Sequence, residues 1–212
     1  MDTELKEVKM YSDYKSPFAY LAFDPAFALQ ERFRVHVRWI PFQLRIKGKG
    51  ERSVYSEYKA RYSYLDARRW AKPRGILIRG PLKVYDTTPA LIGGLFADKH
   101  GRLLDYSRMA YELFFRREFE ADQPDAVAVL ISNLNLSAEE YREYLKDEGA
   151  LAYRRAQKEA EADNVFGVPL FIFEREPFLG SRPDSRPRTA PHRGGSRDSY
   201  RARIGELIGC QI

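Results

Sequence analysis

The sequence predicts an α/β fold in which a long helical segment interrupts a small sheet. A strand (8–11), a helix (17–33) and a second strand (35–42) open the chain. Helical periodicity then dominates from about Arg52 to Ala162, and strand-like residues return only at Asn164. A strand, helix and strand within about 35 residues are typical of a βαβ unit with parallel strands and a right-handed crossover.

The first helix is predicted from its opening residues and its periodicity. Ser16 is a preferred N-cap, and Pro17 suits the first helical position, because that N–H would have no intrahelical partner. Apolar residues then recur at three- and four-residue steps. Pro25 predicts a kink or break, since its ring removes one hydrogen bond and crowds the preceding turn.

The middle of the chain carries a series of further helix signals. They are the same-face residues Tyr58, Tyr62 and Leu65, the Thr87-Thr88-Pro89 start of a helix over 90–99, the stretches Tyr106–Phe119 and Asp122–Asn133, and the capping pattern that begins at Ser137. Such a run is too long for a connecting loop, so we interpret it as a helical insertion. After it, Val165–Phe173 and Pro177–Gly180 predict a hairpin, with Pro169 at the start of its first strand.

These signals divide the chain into four predicted parts. Residues 1–50 form the βαβ part, residues 51–163 the helical insertion domain, and residues 164–180 the hairpin. Residues 181–212 form an irregular tail rich in Arg, Pro, Ser and Gly, a composition typical of poorly ordered chain.

Composition excludes several classes of protein. The net charge of +6 comes from interleaved charges of both signs, so we expect no nucleic-acid partner. No apolar run approaches the roughly 20 residues of a membrane span, and the start lacks a signal-peptide pattern, so we expect a cytoplasmic protein without a membrane partner. One cysteine and three scattered histidines predict neither an intramolecular disulfide nor a metal site.

The stretch around Ser16 carries the predicted chemistry. A helix N-terminus at the carboxyl end of a strand gathers free N–H groups and partial positive charge, which favour an anion. Thioredoxin-like redox proteins have Cys-x-x-Cys at this place, whereas this chain has Ser16-Pro17-Phe18-Ala19. The absence of a thiol argues against a disulfide oxidoreductase. We hypothesise instead that a ligand brings the thiol.

Four motifs, taken jointly and in this order, resemble one family. They are Tyr11-x-Asp13-x-x-Ser16-Pro17-x-x-Tyr20-Leu21-Ala22, Trp39-x-Pro41-Phe42, Asp66-x-x-Arg69-Trp70-Ala71, and Val165-Phe166-Gly167-Val168-Pro169 before a Phe-x-Gly turn. They resemble the 2-hydroxychromene-2-carboxylate isomerases, which belong with the kappa-class glutathione transferases in the DsbA-like branch of the thioredoxin superfamily. The resemblance covers about residues 8–180. It implies a thioredoxin-like fold of the DsbA or kappa type, interrupted by a helical domain, with glutathione as cofactor.

The resemblance also implies roles for individual residues. Ser16, followed by Pro17, would face the glutathione sulfur. Val168 would precede a cis Pro169 and pair with the cysteinyl backbone of glutathione. Lys59 or Arg61 would match the charged residues near the family's site. The family's Asp after the Phe-x-Gly turn is missing here, and Asp184 is the candidate substitute.

The chemistry implied is reversible addition of a thiolate to an electron-poor carbon of an aromatic substrate, followed by bond rotation and expulsion of the thiol. A helix N-terminus and a hydrogen bond from Ser16 would together lower a thiol pKa from ~8.5 to near 6.5. The candidate aromatic wall of the substrate pocket is Phe18, Tyr20, Trp39, Phe42 and Trp70. The ordinary alternatives are a helix cap for Ser16 and core packing for the rings.

Three functions remain open at this point. The first is a glutathione-dependent isomerase of aromatic degradation. The second is a kappa-like transferase or peroxidase that consumes glutathione. The third is an inactive binding or remnant protein. A homodimer is left open for each of them.

Overall fold

The structure, a computed structural model, describes residues 5–44 and 57–180, with side chains from residue 61 onward in the second range. The strands in chain order are β1 (Lys6–Ser12), β2 (Val35–Pro41), β3 (Leu170–Phe173) and β4 (Glu176–Leu179). The helices are α1 (Pro17–Phe27), α2 (Leu29–Arg32), α3 (Glu57–Ala71), α4 (Thr88–Lys99), α5 (Leu103–Arg116), α6 (Pro124–Asn133), α7 (Ala138–Lys146) and α8 (Glu148–Ala162). The predicted tail, with Asp184, lies outside the described residues.

The four strands form one sheet in the order β2-β1-β3-β4. β1 and β2 are parallel, with Lys6 opposite Val35 and Ser12 opposite Pro41. β3 runs antiparallel to β1, and β4 runs antiparallel to β3. The βαβ unit is therefore confirmed, and helices α3 to α8 separate β2 from β3 along the chain as predicted.

The helix predicted over 17–33 is interrupted, as the kink or break predicted from Pro25 implies, but the interruption lies after Pro25: α1 ends at Phe27 and α2 begins at Leu29. Pro25 lies inside α1, where it removes the hydrogen bond that the Leu21 carbonyl would accept. Arg74, in a short 3₁₀ helix after α3, donates from Nη1 to that carbonyl at 3.2 Å. A side chain from the helical segment thus replaces the missing helical donor.

The third strand is shorter than the strand-like run Val165–Phe173, and it begins directly after Pro169, the residue predicted at its start. Pairing begins at Leu170, opposite Tyr11 of β1. Pro169 has no N–H to donate to a strand ladder, and the Val165 N–H donates to the Ala160 carbonyl near the end of α8 at 2.9 Å. The residues before β3 are therefore a loop.

The predicted hairpin is present between β3 and β4. Its turn residues Glu174 and Arg175 have φ values of 49° and 71°. Positive φ at both central residues is what a two-residue turn of type I′ requires.

The sheet packs against helices on both faces. Val8 and Met10 belong to the larger core cluster, which also draws buried residues from α1 and from α3 to α8. Tyr11 and Leu170 belong to a smaller cluster, completed by Ala156 and Ala160 of α8. Alternate strand residues face opposite sides of a sheet, which explains the division. The boundaries of a separate helical domain stay a prediction.

Two absences hold for residues 5–44 and 57–180. No helix there is long and apolar enough to cross a membrane. No group of three or more His, Cys, Asp or Glu side chains lies together there as a metal would require.

Candidate active site

Ser16 lies between the end of β1 and the first residue of α1. It is the N-cap of α1, with its Oγ accepting from the Ala19 N–H at 3.2 Å. The residue is only 3 % exposed. Its hydroxyl donates to the Val168 carbonyl at 3.2 Å. One side chain therefore joins the start of α1 to the loop before β3.

The loop before β3 offers a backbone edge beside Ser16. The Val168–Pro169 peptide bond is cis, as the resemblance implies. The Val168 carbonyl accepts from Ser16, and its N–H has no hydrogen-bond partner in the part of the chain that the structure describes. An unpaired N–H and a carbonyl on one residue are what an extended peptide needs to add as a strand.

The turn before Ser16 is held by Asp13, whose carboxylate is completely buried. Its Oδ1 accepts from the Thr87 hydroxyl at 2.7 Å, and its Oδ2 accepts from the Leu44 N–H at 2.7 Å. The Lys15 ammonium lies 3.4 Å from Oδ2. The Asp13 carbonyl accepts from the Ser16 N–H at 2.9 Å. Asp13 thus connects the turn to the end of β2 and the start of α4.

Two buried tyrosines lie next to this turn. Burial raises the pKa of the Tyr14 and Tyr111 phenols well above their ordinary value of 10. Both rings therefore remain neutral, with Tyr14 bonded to the Ser107 hydroxyl at 2.8 Å and Tyr111 to that of Ser12. They anchor the end of β1 to α5.

Four of the predicted wall residues are half-buried: Phe18, Tyr20, Phe42 and Trp70. Tyr20 stacks on Tyr111 of α5, with centroids 5.2 Å apart. Phe42 packs on the smaller core cluster that contains Val168. Trp70 and Phe18 pack on the larger cluster. Of these rings, Phe42 has a described link to the Val168 side of the site; the substrate role of all four stays a prediction.

Trp39 has a different environment. It is 4 % exposed, its ring centroid lies 5.7 Å from that of Tyr14, and it belongs to the larger core cluster. Core packing is what the structure shows for this residue.

The charged candidates lie on α3. Lys59 is in its first turn, with a side chain outside the described part, and Arg61 is exposed. Asp66, which is 8 % exposed, pairs with Arg69 at 3.4 Å. α3 contacts the turn before Ser16 through Tyr64, whose hydroxyl donates to the Lys15 carbonyl at 3.0 Å.

The architecture and the cis-proline loop agree with a comparison of sequence families. The pattern of the DSBA-like thioredoxin domain matches residues 7–185. The chain belongs to this DsbA-like thioredoxin family. A curated relative, the 2-hydroxychromene-2-carboxylate isomerase of Pseudomonas putida, is 24% identical over 182 residues, which cover 82% of this chain and 88% of the relative.

Solved structures of this family have the same fold. A 2-hydroxychromene-2-carboxylate isomerase has a TM-score of 0.69 at 23% identity, covering 82% of this chain and 89% of its own. A probable DsbA oxidoreductase from Streptomyces coelicolor also has a TM-score of 0.69, at 20% identity, covering 98% of this chain and 92% of its own. The thioredoxin-like fold is thus confirmed. Because both kinds of protein superpose equally well, the fold alone does not distinguish their functions.

Sequence reasoning placed Ser16 and Val168 correctly beside each other but gave no role to Asp13 or Thr87. Asp13 stands inside the quoted motif. An acidic residue between Tyr11 and Tyr14, in a stretch predicted to end a strand, was the signal that could have suggested a buried carboxylate. Its contact with Thr87, 74 residues later, had no sequence signal.

Proposed function

We propose that this protein is a glutathione-dependent isomerase of an unsaturated aromatic substrate. The observation that carries the proposal is a serine, Ser16, in the place of a redox thiol, hydrogen-bonded to Val168 beside a cis proline. The printed activity of the Pseudomonas putida relative supports the reaction class.

The residues around Ser16 fit the cysteinyl part of glutathione. The Val168 N–H and carbonyl would pair with the cysteinyl backbone as an added strand does. The sulfur would then face the N-terminus of α1, whose partial positive charge favours an anion by up to ~2 kcal/mol. Lys59, Arg61 and Asp184 remain candidates for the two ends of the ligand.

Bound glutathione would supply a thiolate that adds reversibly to the substrate and is released unchanged. Ser16 keeps its proton throughout and donates a hydrogen bond to the sulfur, an interaction of roughly 1.5–3 kcal/mol before desolvation. At ~1.4 kcal/mol per pKa unit, the hydroxyl and the helix together lower the thiol pKa by about two units. That is enough to make the thiolate the main form near neutral pH.

The half-buried rings of Phe18, Phe42 and Trp70 support an aromatic substrate, because a flat ring excludes water best against apolar, aromatic neighbours. We place the reaction in the cytoplasm, where thiols are kept reduced.

Thermal unfolding with and without glutathione tests the proposal. A ligand at about 100 times its dissociation constant adds roughly 2.7 kcal/mol of stability. For a chain of this size the melting temperature should rise by about 5–10 °C. The matched control is γ-glutamylglycine, which lacks the cysteine and should produce little shift. No shift with millimolar glutathione would contradict glutathione binding.

Turnover of 2-hydroxychromene-2-carboxylate then separates isomerase from transferase. An isomerase leaves the concentration of free thiol constant while product accumulates. Stoichiometric loss of thiol would instead favour the transferase. Binding without any turnover would favour a non-catalytic protein.

A further inference from the structure

Asp13 is a completely buried acidic residue three positions before Ser16. Taking an ionised carboxylate out of water is unfavourable unless it is paired and hydrogen-bonded. Here both oxygens are used: Oδ1 accepts from the Thr87 hydroxyl and from the Lys15 N–H, and Oδ2 accepts from the Leu44 N–H. The Lys15 ammonium, 3.4 Å from Oδ2, balances the charge.

These donors come from separate parts of the chain. Leu44 follows β2, and Thr87 immediately precedes α4. Lys15 belongs to the same turn as Asp13, and its ammonium also donates to the Tyr85 carbonyl at 3.1 Å. The carboxylate of Asp13 therefore holds the turn before Ser16 to two other parts of the chain, the residues after β2 and the start of α4.

The direction of the Ser16 hydroxyl depends on this turn. Its Oγ accepts from the Ala19 N–H and donates to the Val168 carbonyl, both at 3.2 Å, a distance at the upper limit for an N–H donor and longer than usual for a hydroxyl donor. The Ser16 N–H is held by the Asp13 carbonyl at 2.9 Å. A small rotation of the turn would move the hydroxyl away from the Val168 side of the site.

We propose that Asp13 is a positioning residue for Ser16: its carboxylate, fastened to Thr87 and Leu44, aims the hydroxyl at the place of the ligand sulfur. The identity of the ligand as glutathione rests on the proposed function. The positioning of Ser16 by Asp13 does not depend on the identity of the ligand.

The sign of one measurement separates positioning from a simple charge effect. A carboxylate near a thiol raises the thiol pKa, so removing its charge alone would lower that pKa. Losing the aim of the Ser16 hydroxyl removes a donor from the thiolate and raises the pKa. The two explanations thus predict opposite shifts.

The first experiment titrates the thiolate absorbance of bound glutathione in wild type, Asp13→Asn and Thr87→Val. Asp13→Asn puts an amide donor where an acceptor is needed, and Thr87→Val removes one donor without changing charge. We expect both to raise the bound-thiol pKa by about one unit, which means roughly tenfold less thiolate at a pH below both values. Thr87→Ser should restore the wild-type value. An unchanged or lowered pKa would overturn the positioning role.

The control is Asp24→Asn on α1, where an exposed carboxylate pairs with Arg108 at 2.7 Å. It makes the same chemical change within α1, in the last turn of the helix and away from Ser16, and should leave the bound-thiol pKa unchanged.

A second experiment needs no ligand. Amide hydrogen exchange at Ser16 and Ala19 should become several-fold faster in Asp13→Asn and Thr87→Val, and stay unchanged in Asp24→Asn. If wild type binds no glutathione but exchange accelerates in this pattern, the proposed function fails and the fastening of Ser16 stands. If exchange is unchanged in folded variants, the positioning role is overturned even when glutathione binds.

Discussion

The Ser16 hydroxyl can donate one hydrogen bond, and it donates it to the Val168 carbonyl. That carbonyl is also the acceptor that the backbone of an added peptide needs. In the proposed function, the hydroxyl would turn to the arriving thiolate, and the carbonyl would become available to the ligand's own N–H. Ser16 would therefore strengthen the binding of a ligand's sulfur and, in the absence of that sulfur, compete for the acceptor that the ligand's backbone needs.

Ser16→Ala should distinguish two closely related ligands. Glutathione should bind roughly ten- to a hundredfold more weakly above its bound-thiol pKa, because the thiolate loses a charge-assisted hydrogen bond. S-methylglutathione has no thiolate, so its affinity should stay within about twofold or improve. Isothermal titration calorimetry measures both.

The matched control is Ser107→Ala, which removes a buried serine hydroxyl bonded to Tyr14 at 2.8 Å and leaves Val168 untouched. It should not discriminate between the two ligands. Equal losses of both ligands in Ser16→Ala would show that Ser16 is a helix cap without a role at the sulfur.

At the scale of elements, α4 packs closely on the sheet because it carries a glycine. A Cβ added at Gly94 would lie 2.5 Å from the Tyr14 hydroxyl and 2.7 Å from the Trp39 ring. Both rings are buried, so neither has free space to move into. The distance between α4 and β2 therefore depends on this glycine.

Gly94→Ala should lower the free energy of unfolding by about 1–2 kcal/mol. Alanine favours a helix by about 1 kcal/mol over glycine, but overpacking of a core typically costs more. Urea unfolding measures the difference. Gly80→Ala is the control, since its Cβ would meet nothing closer than 3.8 Å, and it should change stability by less than about 0.5 kcal/mol. A stability of Gly94→Ala equal to wild type would show that α4 can shift freely.

The other face of the sheet is joined to α8 by ion pairs around Glu159. Its carboxylate accepts from the Arg38 guanidinium and lies 2.9 Å from the Lys9 ammonium. The hydrogen bonds from Arg38 hold the pKa of Glu159 at about 2, against the desolvation that burial imposes. This value is well below the ordinary 4.5.

Glu159→Gln should therefore have a pH-dependent effect. The folded-state pKa lies below the unfolded one, so the ionised carboxylate stabilises the fold above pH 4.5, and this contribution is lost as the pH falls through about 2. Because the pair is partly solvated, we expect the variant to lose about 0.5–1 kcal/mol at neutral pH. Urea unfolding over a pH series should show the difference shrinking between pH 4.5 and 2. A difference constant with pH would contradict the ion-pair explanation.

At the scale of the whole molecule, the sheet and the helical segment share one hydrophobic core. The larger cluster contains Val8 of β1 together with Ala67 of α3 and Tyr106 of α5. A core shared in this way favours one cooperative unfolding transition over two.

The two tryptophans can test this cooperativity, because Trp39 lies in β2 and Trp70 in α3. Trp70→Phe leaves an indole in the sheet, and Trp39→Phe leaves one in the helical segment. Within each variant, the urea midpoints from fluorescence and from far-UV circular dichroism should coincide. Separate midpoints would show that the helical segment unfolds as its own domain.

Local patterns predicted most of the fold. Capping residues and periodicity placed the helices, since both depend on neighbours three or four positions apart. They fixed the ends of elements less closely where a partner distant in sequence is involved. α1 passes through Pro25 and ends at Phe27, and Arg74 donates to the Leu21 carbonyl that Pro25 leaves without its helical donor. The first strand of the hairpin begins directly after Pro169, while the Val165 N–H bonds to the Ala160 carbonyl of α8.

The sequence by itself determined that Ser16 replaces a thiol at a helix N-terminus, and that a proline follows Val168, because both depend on residue type alone. Only the tertiary structure decided what holds the serine. A buried carboxylate needs donors, and Asp13 finds them at Leu44 and Thr87, 31 and 74 residues away. No local pattern encodes such a contact, since it exists only after β2 and α4 have packed beside β1.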